Sequence, residues 1–488
     1  MSAQGGPNVE LIQPEPTRRS KIGFALGHVM NDMCASMWFT YLLLYFNKVL
    51  QFDNLYSGII MLIGQLADGF STVFVGIFSD SGDDLWLCNK VGQRKAWHTI
   101  GSFCVVGSFP FIFSSCFGCY QAHQWAQLIY YASFVIIFQF GWAATQISHL
   151  AAIPDLAQSQ NERTGLTAVR YGMTVTSNIL VYLVAWAFFD QNRDVDTITP
   201  NDAWAFKSLM LVCIVVGSVA SLGFHFNVKF PTVNQFNGGD GSGSTYGSSS
   251  AAKSVLKWFK EYQLYQIALI YMSTRLFVNL SQAYIPLYVQ VSLQLEAKYV
   301  ATIPLTMFLA GFVTSFLMKK MNDKFGRKAT FIIGSVLGIA GCFWIQFGCD
   351  AMDPNVKYYI YCVAVLIGIG GSTMLVTSLA LTAEFIGVDT SSSAFIYGLM
   401  SLTDKVANGL AVVLIQHNIP SQDDSCPMCK IYFRQVLFYV CGGVALIGAL
   451  ATMSLFKVTV GARRHQEHGQ IPVITINEEP DERVPLLH

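Results

Sequence analysis

Charge is what this chain has least of. Asp, Glu, Lys and Arg make up 12% of its 488 residues, against roughly 25% in an ordinary soluble domain. The formal net charge is +0 and there is no long basic run, which argues against a nucleic-acid partner. Also missing are a glycine–lysine phosphate loop, a zinc-spaced His/Cys cluster and a nucleophile elbow. Neither an enzyme of those kinds nor an ATP-driven pump is expected, and the sequence calls for no cofactor or metal. A cleavable signal peptide is not expected either, since the first twenty residues are polar and include Pro7, Pro14 and Pro16. The first apolar run would then be the targeting signal itself.

What is present is apolar. Hydrophobic residues reach 53% and the mean hydropathy is +0.43. The apolar runs recur along nearly the whole chain, each about as long as the ~20 residues that cross a bilayer. Bounded by polar turns, they fall at 22–50, 55–80, 97–117, 126–153, 166–189, 204–227, 262–292, 299–319, 329–349, 356–386, 393–417 and 432–457. The expected fold class is an all-α polytopic membrane protein of 12 transmembrane helices in two six-helix halves. The stretch Gly238–Ser250 (GGDGSGSTYGSSS) cannot bury a core and reads as a flexible connector. This divides the chain into an amino tail 1–21, a first half 22–227, a connector 228–261, a second half 262–457 and a tail 458–488.

Basic residues set the orientation. They cluster in the amino tail (Arg18, Arg19, Lys21), after span two (Lys90, Arg94, Lys95) and in the connector (Lys253, Lys257, Lys260). They recur after span eight (Lys319, Lys320, Lys324, Arg327, Lys328) and in the last tail (Arg463, Arg464). The alternate loops are acidic: Asp190, Asp194, Asp196 and Asp202, then Asp423 and Asp424. Both termini are therefore expected in the cytosol. An internal repeat supports the two halves. Asp80 with Arg94 and Lys95 follows span two, and Asp323 with Arg327 and Lys328 follows span eight. Each set places an aspartate, a glycine turn and an Arg-Lys pair at one mouth of its half, where charges can bridge helix ends and break as the halves rock.

Ionisable groups at bilayer depth cost a few kcal/mol or more, so those present need partners or a cavity. His28, Asn31 and Asp32 share one face of span one, and Gln65, Asp68 and Thr72 share one of span two. Span four carries Gln139, Trp142, Gln146 and His149. Span five has Arg170, Thr174 and Asn178; span seven has Arg275, Asn279 and Gln282; span eleven has Asp404, Lys405 and Asn408. A single Asn, Gln or Thr of this kind is ordinary helix-to-helix glue. Asp32, Asp68, Arg170 and Lys405 are a poor route to stability, because a buried charge that loses its partner is costly. They point to a polar cavity, and both signs together suit a zwitterionic solute. The candidate solute-binding and coupling residues are Asp32, Asp68, Gln146, His149, Arg170, Arg275, Asn279, Gln282 and Lys405. A sugar carrier would want an aromatic platform, for which Trp142 is the candidate. A lipid carrier would need a lateral opening, and a non-transporting scaffold would need longer soluble parts than these.

The repeated Asp, Gly, Arg-Lys loops resemble the cytosolic motif of the major facilitator superfamily. The runs from Asn31 to Tyr45, Ser108 to Cys119, Ile137 to Leu150, Thr274 to Gln282 and Ser393 to Ala411 resemble a lysosomal and melanosomal branch of it. The resemblance covers nearly all the spans and fails in the tails and connector. It implies a membrane protein of lysosomes and melanosomes that imports cysteine and influences pigmentation. More distantly, the chain is similar to the glycoside–pentoside–hexuronide cation symporters, whose site charges correspond to Asp32, Asp68, Arg170 and Lys405. Two of their carboxylates are Thr72 and Gln146 here, which makes sodium coupling doubtful. A proton, needing one titratable group such as Asp68 or Asp32, remains open, as does uncoupled transport.

The twelve cysteines mostly sit singly in apolar runs, as small hydrophobes. Cys116/Cys119 and Cys426/Cys429 fall instead in loops on the non-cytosolic side, where disulfides form. Local or cross-loop disulfides, free thiols, and exchange with a thiol solute all stand open. The tail ends in Glu482 to Leu487 (ERVPLL), an acidic dileucine pattern in Glu482, Leu486 and Leu487 of the kind clathrin adaptors read. The expected partners are thus a small solute, the bilayer and a sorting adaptor.

Overall fold

The computed structural model describes residues 17–81, 86–119, 121–157, 159–190, 197–230, 258–387, 393–421, 426–458 and 460. The Gly238–Ser250 stretch, the sorting residues Glu482, Leu486 and Leu487, and the Asp80 side chain lie outside the described residues. Every regular element among the described residues is helical. Span one is split into α1 (Arg18–Leu26) and α2 (Val29–Leu44). There follow α3 (Asn54–Ser81), a short α4 (Trp86–Val91), α5 (Gln93–Ile112), α6 (Gln124–Leu156), α7 (Gln160–Phe189) and α8 (Ala203–Asn227). The second half is α9 (Tyr262–Leu287), α10 (Tyr299–Phe325), α11 (Arg327–Gly348), α12 (Val356–Ile386), α13 (Ser393–His417), then α14 (Pro427–Gln435) continuing into α15 (Gly442–Ser454).

Among the described residues, nine helical runs are long and apolar enough to cross a membrane: α3, α6, α7, α8, α10, α11, α12, α13 and the α14–α15 run. Spans one, three and seven complete the set of twelve while being more polar. Span one is interrupted, α5 opens on Gln93, Arg94 and Lys95, and α9 turns Thr274, Asn279 and Ser281 inward. Lipid-facing surfaces are correspondingly apolar: Val215, Val219, Leu222 and Phe226 on α8 stand exposed at helical spacing. Several helices outrun the apolar criterion. The third span begins at Gln93 rather than 97 and ends at Ile112 rather than 117. The fifth begins at Gln160, the eighth continues to Phe325 and the twelfth starts at Pro427. The polar ends that hydropathy excludes stay helical because they are capped, as where the Ser159 hydroxyl and Glu162 form a reciprocal capping box.

The halves repeat each other in detail. Span one ends in a wide turn, Tyr45–Val49, followed by Gln51 at φ 51°; span seven ends in Tyr288–Ser292, followed by Gln294 at φ 52°. Gly92 (φ 85°) starts α5 and Gly326 (φ 79°) starts α11. That left-handed region is open to glycine and strained for other residues. Glycines also let the third and fourth spans of each half touch backbone to backbone. A Cβ on Gly101 would lie 2.6 Å from Gly141 O, and one on Gly370 would lie 2.6 Å from Gly338 N. Such close approach is how helices associate where lipid supplies no hydrophobic drive. Across the halves, α3 packs on α13, α7 on α10 and α2 on α9.

Candidate functional site

A cavity of about 390 Å³ lies between the halves. The first half contributes Asp32, Ser36 and Phe39 from α2 and Tyr171, Thr174, Asn178 and Tyr182 from α7. The second contributes Arg275 and Gln282 from α9, Phe308 and Phe312 from α10, and Gly371 and Ser372 from α12. A carboxylate from one half and a guanidinium from the other thus share one chamber with aromatic walls. Its polar wall is pre-paired. Gln282 Nε2 donates to Thr40 Oγ1 (3.0 Å) and Tyr182 OH (3.3 Å), and the Ser36 hydroxyl donates to Asn178.

The intramembrane charges form three groups. Asp32 Oδ2 accepts from Thr174 Oγ1 at 2.9 Å, while His28 Nδ1 lies 2.9 Å from Oδ1 and Arg170 Nη2 lies 2.9 Å from His28 Nε2. In the second half, Arg275 Nε donates to Asp404 Oδ2 at 2.9 Å, and Asn408 Nδ2 donates to Asp404 Oδ1 at 2.5 Å. Between the halves, Lys405 Nζ donates to Asp68 Oδ2 at 2.8 Å and to Thr72 Oγ1 at 3.3 Å. Asp68 and Lys405 do not line the chamber; Asp68 faces a crevice of about 10 Å³ beside Trp38 and Trp142. This pair bridges the halves, whereas Asp32 and Arg275 line the chamber.

Other predicted site residues have structural posts. The His149 ring stacks on Phe24 at 4.1 Å and His149 Nε2 contacts Phe24 O at 2.7 Å. His98 Nε2 contacts Gly27 O at 2.8 Å and its Nδ1 lies 3.2 Å from His225 Nε2. Phe24 and Gly27 flank the break in span one, so the two imidazoles supply donors where helical bonding is interrupted. Gly27 is needed for this packing, because a Cβ there would lie 2.8 Å from both His149 and Phe224. Gln146 has a buried Oε1 with no hydrogen-bond partner among the described residues, and Asn279 is buried; neither lines the chamber. Trp142, the expected sugar platform, is elsewhere: its Nε1 donates to Asn31 O (3.3 Å), and Asn31 Nδ2 donates to Trp142 O (2.9 Å). The Trp142 ring borders the small crevice beside Asp68 and not the chamber.

The repeated basic pairs do the same work twice. Arg94 Nε donates to Asp155 Oδ2 on α6 (2.9 Å), and Arg327 Nη1 donates to Glu384 Oε2 on α12 (2.7 Å). Lys95 Nζ donates to His225 O near the end of α8 (2.9 Å), and Lys328 Nζ donates to Leu455 O just after α15 (2.7 Å). In each half the arginine ties span three to span four and the lysine caps the carbonyl end of span six, where a cation is favoured. Asp323 lines a surface cleft with Arg327 and Lys328.

The two mouths of the chamber differ. On the face away from the chain termini, Asn47 Nδ2 donates to Gln416 Oε1 (3.0 Å), the Ile198 N–H donates to Gln290 Oε1 (2.7 Å), and Lys298 Nζ lies 3.7 Å from Asp190. The Lys298 pKa is raised, chiefly by its hydrogen bond to Glu296. Together with the Asp68–Lys405 pair, these contacts join the two halves. The same face carries Cys116 with Cys119 and Cys426 with Cys429, each a local disulfide with Cα atoms 5.3 Å apart. That separation is ordinary for a disulfide, and no cross-loop bridge forms.

A family model described as MFS/sugar transport protein matches residues 23–460. Major facilitator superfamily domain-containing protein 12 of Mus musculus is 44% identical over 451 residues, covering 89% of this chain and 93% of that protein. Its Homo sapiens counterpart is 42% identical over 482 residues, covering 94% and 98%. Among solved structures, a D-xylose-proton symporter superposes with a TM-score of 0.64 at 13% identity, over 90% of this chain and 96% of that one. With a paired-charge chamber between two repeated six-helix halves, the chain belongs to the major facilitator superfamily and is a membrane transporter, not an enzyme.

Proposed function

We propose that this transporter carries cysteine into the lumen of lysosomes and melanosomes by alternating access, with a proton as coupling ion. The observation that carries the reading is the chamber itself. Asp32 and Arg275 face it from opposite halves, the arrangement that a small zwitterion's ammonium and carboxylate require, and about 390 Å³ suits a small solute. The choice of cysteine follows from the sequence resemblance described above. Sodium is disfavoured because Lys405 already neutralises Asp68 where a cation would otherwise sit. The far face, with its two disulfides, is read as luminal, and the basic termini-bearing face as cytosolic. The domain limits at 21, 227, 261 and 457, and adaptor sorting through Glu482, Leu486 and Leu487, belong to the same proposal.

Labelled cysteine uptake into intact lysosomes, with and without the protein, tests the reading. Uptake is expected to fall on its loss; unchanged uptake overturns the choice of cysteine. Replacing Leu486 and Leu487 by Ala is expected to send the protein to the cell surface, and lysosomal retention would remove the sorting assignment.

A further inference from the structure

Along the first-half wall of the chamber, α2 and α7 are joined by four polar rungs in one register. His28 meets Arg170 at 2.9 Å, Asp32 accepts from Thr174 at 2.9 Å, the Ser36 hydroxyl donates to Asn178 Oδ1, and Thr40 Oγ1 lies 3.1 Å from Tyr182 OH. The partners in every rung are 142 positions apart, and successive rungs stand four residues, or ~6 Å of helix, from each other. The His28–Arg170 rung does not line the chamber. The Thr40–Tyr182 rung is capped from the other half by Gln282, whose Nε2 donates to both hydroxyls. Solute space on this wall therefore runs from Asp32 to a roof at Gln282. Arg275 lies about two turns of α9 before Gln282, which brings it to the level of Asp32. For a zwitterion held between Asp32 and Arg275, the next polar group along the wall is the Ser36–Asn178 rung. There the Ser36 hydroxyl is already spent on Asn178 Oδ1. Asn178 Nδ2 has no hydrogen-bond partner among the described residues, and an amide nitrogen carries two hydrogens to donate. Much of the remaining lining is apolar, from Phe39, Met307, Phe308 and Phe312.

Resting on the transport reading, we propose that Asn178 determines which side chain the chamber accepts, by donating from Nδ2 to the sulfur of a cysteine-sized zwitterion. The reach fits. In cysteine the nitrogen and the sulfur are three bonds apart. With a hydrogen bond of about 3 Å at either end, the molecule bent across the ~6 Å between the Asp32 and Asn178 rungs meets both. Asp32 takes the ammonium, Arg275 takes the carboxylate, and Asn178 reads the atom bonded to Cβ. An analogue with a methyl group at that place gives the amide no acceptor, and a site that hydrogen-bonds its solute discriminates against such an analogue. Ser36 is a positioning residue. Its hydroxyl holds Oδ1, and so turns the donor end of the amide toward the solute.

Competition for labelled cysteine uptake, in proteoliposomes holding the full chain, tests the assignment. The competitors are unlabelled cysteine and L-2-aminobutyrate, which has the shape of cysteine with a methyl in place of the thiol. In the wild type cysteine is expected to compete about fivefold more strongly than L-2-aminobutyrate, the worth of one modest hydrogen bond. Asn178→Leu, similar in size and without a donor, is expected to bring the two within about twofold of each other. Asn178→Asp puts an acceptor where the donor stood and should lose the preference as well, which keeps the test open if Asn178→Leu does not fold. Ser36→Ala should fall between the wild type and these variants. If Asn178 only glued α2 to α7, its loss would weaken both competitors together and leave their ratio as it was. Variants that keep the wild-type ratio therefore overturn the role of Asn178 and leave cysteine transport standing, as does a wild type that does not tell thiol from methyl. A wild type that takes up no cysteine overturns the transport reading, and the assignment of Asn178 with it.

Discussion

Lys405 reaches two acceptors, Asp68 and Thr72, and both belong to the opposite half. Removing one partner of a buried pair leaves a stranded charge, at a cost of about 3–5 kcal/mol, whereas removing both is close to neutral. Asp68→Asn and Lys405→Ala should each lower the unfolding temperature in detergent, and Asp68→Asn combined with Lys405→Met should regain most of the loss. All of these, and Arg170→Ala, should abolish cysteine uptake while still reaching the organelle. Full uptake by the single variants would make the charges purely structural. His149 has a different role. His149→Phe keeps the stack on Phe24 but leaves its carbonyl with the Gly27 N–H alone, costing about 0.5–1.5 kcal/mol. His149→Gln, which can still donate, should cost less; equal thermal stability of the two would remove the pinning role of Nε2.

At the scale of elements, the sequence carried the helices and left their joints open. Apolar length located the spans because lipid selects for it directly. The Arg-Lys repeat was legible because both copies carry the same side chains at the same place. The partners were not legible. Asp68 and Lys405 are 337 positions apart in number (405 − 68) and nothing in either stripe names the other. His28 was visible on the face of Asp32, yet nothing in the sequence pairs it with Arg170 of α7. His149 and Trp142 read as candidates because they share the span-four stripe, but a stripe records burial, and here burial serves the span-one break and Asn31. The glycine seams give a further expectation. Gly101→Val would drive Cβ to 2.6 Å from Gly141 O, and forcing extra atoms into a packed seam costs about 1–3 kcal/mol. Gly107→Val, where a Cβ meets nothing within 4 Å, should be tolerated. Thermal unfolding of the two variants separates seam packing from a general intolerance of β-branching in α5.

For the whole molecule, the decisive feature is that the halves are tied at the far face and at mid-depth. Alternating access requires those ties to break while new ones form at the other mouth. Along α3 and α13 a close approach between the halves offers a lock. A Cβ built on Gly58 lies 3.1 Å from Gln416 Cβ, close to the ~3.5–4.5 Å found between disulfide Cβ atoms. Gly58→Cys with Gln416→Cys should therefore cross-link under mild oxidant and hold the far mouth shut. Cysteine uptake should fall to background and return with a reductant that leaves either single variant unaffected. The solute would still enter the chamber from the termini-bearing side, so cysteine should still protect the locked protein against thermal unfolding. Uptake that persists in the fully cross-linked protein would mean that the far face need not open. The chamber between Asp32 and Arg275 would then not be the transport route.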